Sequence, residues 1–267
     1  MTEEKWLVDG EKVIDLDGIR KLKVGLIAGQ VNIIGHDEPG TRVEVHSVSG
    51  RELKITAEGD TLEVDHPQLR WDNFIDVFKS WTVGNAKADI SITVPRDVAL
   101  RFGVVSASAL ISGLNEAASI STVSGDVVVD NIHGDIQLNG VNGEIAVRNH
   151  HGSISAHTIS GDVTVSGDIM RFTADTVSGN IFADLTGVPD EIRINTVSGG
   201  IMTRLAADTP AQYKINTVSG RLQLDQAEIR GVRGNYTGKF GTLDKKWLEF
   251  RANTVSGDIS VLHSVSA

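Results

Sequence analysis

Five glycines, Gly125, Gly134, Gly143, Gly152 and Gly161, follow one another at a constant interval of nine. After each of them the second and fourth residues are apolar: Val127/Val129, Ile136/Leu138, Ile145/Val147, Ile154/Ala156 and Val163/Val165. Alternation with period two is the signature of a strand with one buried face. The glycine supplies a tight turn, because a positive φ costs it nothing. A strand-and-turn unit this short cannot bury its face alone, so the units must stack on one another. Two units together make one flattened coil.

Around these glycines a tetrad returns: Val123-Ser124-Gly125-Asp126, Ile159-Ser160-Gly161-Asp162, Val177-Ser178-Gly179-Asn180 and Val255-Ser256-Gly257-Asp258, with looser copies at Val48, Val197 and Val218. Gly179, Gly199 and Gly220 follow Gly161 at one coil each, the later coils being slightly longer. The step from Gly220 to Gly257 is one coil plus an insertion. The chain holds 28 glycines and only five prolines, as many tight turns between many short strands require. The expected fold is all-β: a single-chain β-solenoid, β-helix-like, with about 18–21 residues per coil. It is expected over residues 101–267, with an insertion at about 226–250. Residues 1–100 alternate as strands but lack the regular glycine register, and are expected to form an N-terminal β-rich cap continuous with the solenoid.

The repeated Thr-Val-Ser-Gly-Asp, the strand Ile92-Thr-Val-Pro-Arg-Asp97 and the early Val24-Gly-Leu-Ile-Ala-Gly-Gln-Val31 resemble the bacterial putative-adhesin β-strand-repeat family, also called toast-rack domains of unknown function. The likeness runs from about residue 20 to 263. It implies a bacterial single-chain β-solenoid with an adhesin-like role, and carries over no catalytic residues. Some relatives attach to membrane segments or act in envelope stress; no such segment is present in this sequence.

Charge narrows the partners. With 25 Lys+Arg against 35 Asp+Glu the formal charge is −10, which argues against nucleic acid, since phosphate neutralisation needs clustered cations. The first residues lack the basic and apolar regions of a secretory signal, and no run is long enough for a membrane span, so a cytoplasmic location is expected, with envelope association only through a partner. Without cysteine there is no thiol nucleophile, disulfide or Cys-ligated metal. No Gly-x-Ser-x-Gly elbow, phosphate loop, His-Glu-x-x-His or dinucleotide fingerprint occurs, so the chain is not expected to be an enzyme and no cofactor is expected.

Stacking one coil on the next makes ladders. Asp126, Glu144 and Asp162 fall in one column, where carboxylates a rung apart suit a hard divalent cation. His133 and His151 fall in another, where paired imidazoles suit zinc. Both columns read more simply as solvated turn residues, and no metal is expected. The stretch from Arg230 to Trp247 is basic, aromatic and glycine-rich. Its Arg230, Arg233, Tyr236, Lys239, Phe240 and Trp247 form a candidate loop for an anionic polymer or glycan, against a plain protruding hairpin. Trp71, Phe74, Phe78 and Trp81 cluster at near-helical spacing and form a candidate docking face for a protein partner, against a cap over the core. The function expected is a non-catalytic scaffold or interaction protein, with self-association among its options. The alternatives are a polysaccharide-binding or polysaccharide-cleaving β-helix, and an envelope-stress regulatory module docking through the Trp71–Trp81 segment.

Overall fold

The computed structural model describes residues 3–66, 86–229 and 234–264. Among these residues the fold is all-β, with 24 strands and no helix. The chain divides into two compact units, 1–133 and 134–267.

In the first unit the strands are β1 (Glu3–Val8), β2 (Lys12–Asp17), β3 (Lys21–Leu26), β4 (Ala28–His36), β5 (Gly40–Ser49), β6 (Leu53–Glu58), β7 (Thr61–Asp65), β8 (Lys87–Pro95), β9 (Ala99–Val104), β10 (Ser108–Ser112), β11 (Ala118–Thr122) and β12 (Val127–Asp130). They form two rows. In one, β7, β3, β9 and β11 lie side by side and parallel; in the other, β8, β4, β10 and β12 do the same. The offset from β9 to β11 is the expected single coil, Leu100 facing Ala118. The early strands β3 and β4 therefore belong to the parallel rows despite lacking the regular glycine register. Each row ends in antiparallel strands: β6 and then β1 on β7, β5 and then β2 on β8. Alternation sets what is buried. Along β8 every second residue, Ala88, Ile90, Ile92 and Val94, is fully inside. Leu22, Leu62 and Phe102 fill the same role in the other row.

The second unit holds β13 (Ile136–Gly140), β14 (Ile145–Thr158), β15 (Val163–Thr176), β16 (Ile181–Leu185), β17 (Glu191–Thr196), β18 (Ile201–Leu205), β19 (Ala211–Thr217), β20 (Leu222–Leu224), β21 (Ala227–Ile229), β22 (Gly234–Phe240), β23 (Leu248–Thr254) and β24 (Ile259–His263). β14 and β15 are 14 residues each and pair in parallel at an offset of one coil, with register breaks after Val147 and Gly152. The chain turns there through positive φ at Asn149 and Gly152.

Sequence order and layer order differ in this unit. β17 pairs with β23, and β23 with β19; likewise β18 pairs with β24, and β24 with β20. The last coil of the chain thus lies between the two that precede it. The reason is local. β20 and β19 take antiparallel partners, β21 and β22, on their outer sides. That leaves only their inner sides for a parallel pair. The first unit has the same device, with β3 and β4 lying between β7 and β8 on one side and β9 and β10 on the other.

The glycine column records this stacking. A Cβ on Gly161 would land on the carbonyl oxygen of Gly143, on Gly179 that of Gly161, on Gly199 that of Gly179, on Gly257 that of Gly199, and on Gly220 that of Gly257. Gly10, by contrast, has open space where a Cβ would go. Gly257→Ala is therefore expected to cost about 3 kcal/mol by forcing two layers apart, whereas Gly10→Ala stays within about 0.5 kcal/mol of the parent. Denaturant midpoints of the two variants measured side by side check this.

Candidate functional site

Each member of the Thr-Val-Ser-Gly turn can be assigned a task except one. The buried threonine accepts a hydrogen bond at Oγ1 from the amide of the glycine three positions on: Thr176 from Gly179 (3.1 Å), Thr196 from Gly199 (2.9 Å), Thr254 from Gly257 (2.8 Å) and Thr217 from Gly220 (2.9 Å). The serine locks its layer to a neighbour. Ser178 donates from both backbone amide (2.9 Å) and Oγ (3.4 Å) to the carbonyl of Ile159, and Ser198 does the same to Val177 (3.0 and 3.4 Å). Ser256 on Val197 and Ser219 on Val255 repeat the bond. The glycine leaves room for the layer beside it. The β-branched residue is exposed without such a task.

Ile159, Val177, Val197, Val255 and Val218 consequently form a column in that spatial order, each between 48% and 62% exposed. Neighbouring strands lie about 4.8 Å apart, so the five side chains make a straight apolar ridge about 20 Å long. In the first unit the equivalent turn residues Ile27 and Val123 are buried. The ridge as an exposed feature belongs to the second unit.

Beside it runs a polar ladder. Asn195 donates its amide to the Asp175 carboxylate, Asn253 to Asn195 and Asn216 to Asn253, each at 2.7 Å, and His157 Nδ1 lies 3.2 Å from the same Asp175. The signal for it is in the sequence, as an asparagine before Thr-Val-Ser-Gly at 195, 216 and 253.

The metal candidates sit in other arrangements. Asp162 accepts from the backbone amide of Asn180 (2.7 Å) and from its side chain (3.3 Å), so it joins layers. Its neighbour Glu144 and, in the first unit, Asp126 and His133 each take part in side-chain or backbone interactions of their own. His151 pairs with Asp168 at 3.3 Å on an exposed surface. Among the described residues no group of three or more His, Asp or Glu side chains is arranged to hold a metal ion.

Of the basic aromatic loop, Arg230 and Arg233 lie outside the described residues, as do Trp71, Phe74, Phe78 and Trp81. Tyr236, Lys239 and Phe240 are on β22, and Trp247 precedes β23 at the surface. Phe240 stacks on His263, ring centroids 3.7 Å apart. His263 is the most enclosed polar centre of this region, its side chain 5% exposed. Its Nδ1 faces the Asp225 carboxylate at 3.0 Å and its Nε2 the Thr209 carbonyl at 3.1 Å, while Asp225 also accepts the His263 backbone amide at 2.7 Å. Sequence reasoning missed this cluster because its members lie up to 54 positions apart and share no motif.

With the turn, its ladders and its stacking in view, the family is decided by a match over residues 19–262 to the model described as Toastrack DUF4097. The chain belongs to the Toastrack DUF4097 family. Two solved structures are similar at low identity. One, from Clostridium sporogenes, is called a putative cell adhesion protein; it is 14% identical, with 95% of this chain and 100% of the other covered, at a TM-score of 0.32. The other, from Bacteroides fragilis, is called a putative adhesin; it is 11% identical, with 95% and 99% covered, at a TM-score of 0.41. No curated protein matches the sequence.

Two buried groups of the Toastrack chain carry shifted protonation. His66 is wholly buried, and burial lowers its pKa to about 4. Its Nδ1 accepts from the Ile27 amide at 3.2 Å, while its Nε2 has no hydrogen-bond partner among the described residues. The adjacent Asp65 is pushed upward, first by burial and then by Glu63. Both are read as buried structural groups.

Two measurements follow. Thr254→Val deletes the acceptor of the Gly257 amide and is expected to cost about 1–3 kcal/mol. Thr203→Val removes a buried hydroxyl without a partner among the described residues, and is expected to be neutral or stabilising; thermal melts of the pair test the assignment. As for pH, only the unfolded chain takes up a proton at His66 between about 6.5 and about 4, so stability falls as pH falls through that window. The loss attributable to this group is about 3 kcal/mol. Asp65 acts in the opposite sense at the acid end, its folded form holding a proton the unfolded form has released. Unfolding free energies at pH 7.5 and 4.5 should therefore differ less in His66→Gln than in the parent.

Proposed function

We propose that this Toastrack chain is a non-catalytic, adhesin-like interaction scaffold of bacteria: a β-solenoid that binds a surface protein of the cell envelope along its exposed turn column. The carrying observation is the ridge from Ile159 to Val218. It repeats a β-branched apolar residue five times at positions where the side chain is half exposed, while the other three members of the repeat are engaged in holding the layers together. A solvated turn that served only the fold has no need of an apolar residue at this position in every copy, since polar turn formers would serve as well. A contiguous exposed apolar strip is what a protein interface presents.

The test is co-sedimentation of the labelled protein with a washed bacterial envelope fraction, with and without protease treatment of that fraction. The expected result is retention that disappears after protease and is reduced at least tenfold in Val177→Ser/Val197→Ser/Val255→Ser, a variant whose melting temperature stays near the parent's because the replaced groups are exposed. Absence of retention, retention that survives protease, or equal retention of the variant would each overturn the reading.

A further inference from the structure

Three polar residues of the second unit are joined in an order that stacking alone does not require. Ser155 and His157 alternate on β14 and so share a face, and Asp175 stands beside His157 in the parallel register of β15. Ser155 Oγ lies 3.4 Å from His157 Nε2, and His157 Nδ1 lies 3.2 Å from Asp175 Oδ2. The other carboxylate oxygen, Oδ1, accepts the Asn195 amide at 2.7 Å. The His157 and Asp175 side chains are 49% and 45% exposed, and Ser155 is half-buried, so a reagent can reach all three.

The order of atoms carries the chemistry. A carboxylate only accepts, so Asp175 keeps the imidazole proton on Nδ1 and leaves the Nε2 lone pair toward the serine hydroxyl. In that tautomer Nε2 can take the proton of Ser155 as its oxygen attacks. A nucleophile-to-base distance of this length is usual before a substrate is seated. The first unit supplies a contrast. There Ser91 Oγ lies 2.9 Å from His46 Nε2, but among the described residues no carboxylate pairs with His46 Nδ1, so its tautomer is not held.

We propose that Ser155 is an acylation site: it takes the acyl group of an activated ester, one whose leaving group is a thiol or a phenol, with His157 as its base and Asp175 orienting the imidazole. Ser155 Oγ forms a bond to the carbonyl carbon while its proton passes to His157 Nε2. The bond from that carbon to the leaving sulfur or oxygen then breaks, and the leaving group departs with the proton from Nε2. The product is an acyl-serine and a free thiol or phenol.

The surroundings favour attachment over turnover. β14 lies between β13 and β15 and pairs with both, so its amides along 154–157 are engaged in the ladders and none is left to hold an oxyanion. An activated ester reacts despite that lack. The alkyl ester formed on Ser155 has a far poorer leaving group, so it persists. The inference goes beyond the interaction role, which needs no bond to form, and it uses no residue of the ridge.

The experiment treats the full chain with p-nitrophenyl acetate and locates acetylated serines by peptide mass spectrometry over a time course. Ser155 is expected to be labelled at least about tenfold faster than Ser91, whose histidine lacks the acid. His157→Gln should slow labelling of Ser155 about 100-fold. Asp175→Asn should slow it about tenfold or more, although the new amide oxygen can still accept from Asn195. Ser155→Ala should lose the label at this position and no other. The replaced side chains are at the surface, so each variant should melt near the parent, and the melts are recorded alongside. Ser155 left unlabelled, labelled no faster than Ser91, or labelled equally fast in folded His157→Gln overturns the proposal. An acetyl group that leaves Ser155 as fast as it arrives overturns attachment and makes the site one of turnover. Val177→Ser/Val197→Ser/Val255→Ser should be acetylated like the parent, which separates this outcome from that of the envelope test.

Discussion

The spacing of backbone layers at the glycine turn governs the rest of the molecule. Where the chain passes from one strand to the next, the carbonyl of one layer occupies the volume that a Cβ of its neighbour would need. Only glycine satisfies that approach, and once glycine is fixed its neighbours follow. Its amide is turned inward, where it needs an acceptor, and the threonine three positions earlier provides one. The preceding layer's carbonyl is left facing the serine, which takes it with two donors. A sequence that repeats Thr-x-Ser-Gly is the consequence of stacking peptide groups at about 4.8 Å while leaving no buried donor unmet.

That constraint made much of the fold legible in advance. The regular glycine interval, the period-two apolar residues and the one-coil offset all reappear as parallel registers such as Ile145 facing Val163. The order of layers did not follow from the sequence. Asn-Thr-Val-Ser-Gly occurs at 195–199, 216–220 and 253–257, and three coils with the same turn offer one another the same contacts. Local pattern cannot rank them. What places the last coil inside is the pair of antiparallel strands β21 and β22, which occupy the outer sides of β20 and β19 and contain no repeat. Phe240 shows the same limit on a smaller scale. Its ring lies on His263, well further along the chain, which no spacing rule connects to it.

Column arithmetic told which residues become neighbours but not what they do there. Asp162 lies one layer from Glu144, and it accepts from the backbone and side chain of Asn180 in the next layer. Elsewhere the charges alternate across layers. Asp184 pairs with Arg204, Asp258 with Arg221, and Glu191 lies among Arg171, Arg193 and Arg251; the hydrogen bond from Arg193, and then the positive charges of all three, hold its carboxyl below the usual range. Exposed pairs of this kind contribute little stability each. Their use is in choosing a register: a layer shifted by one strand position would turn its buried residues outward and separate these opposite charges.

Repetition also shapes what the surface can do. A cleft needs long, dissimilar loops, whereas a stack of equal turns yields columns, in which one weak contact is offered several times at fixed spacing. A single half-exposed valine buries too little apolar surface to hold a partner. Five of them in a line, on a support whose layers are tied by serine and glycine, act as one rigid strip and lose little conformational freedom on binding. On the proposed reading, the layer constraint that forces the repeat would also set the strength of binding. A substitution that loosens the layers would weaken attachment without touching the residues that make the contact.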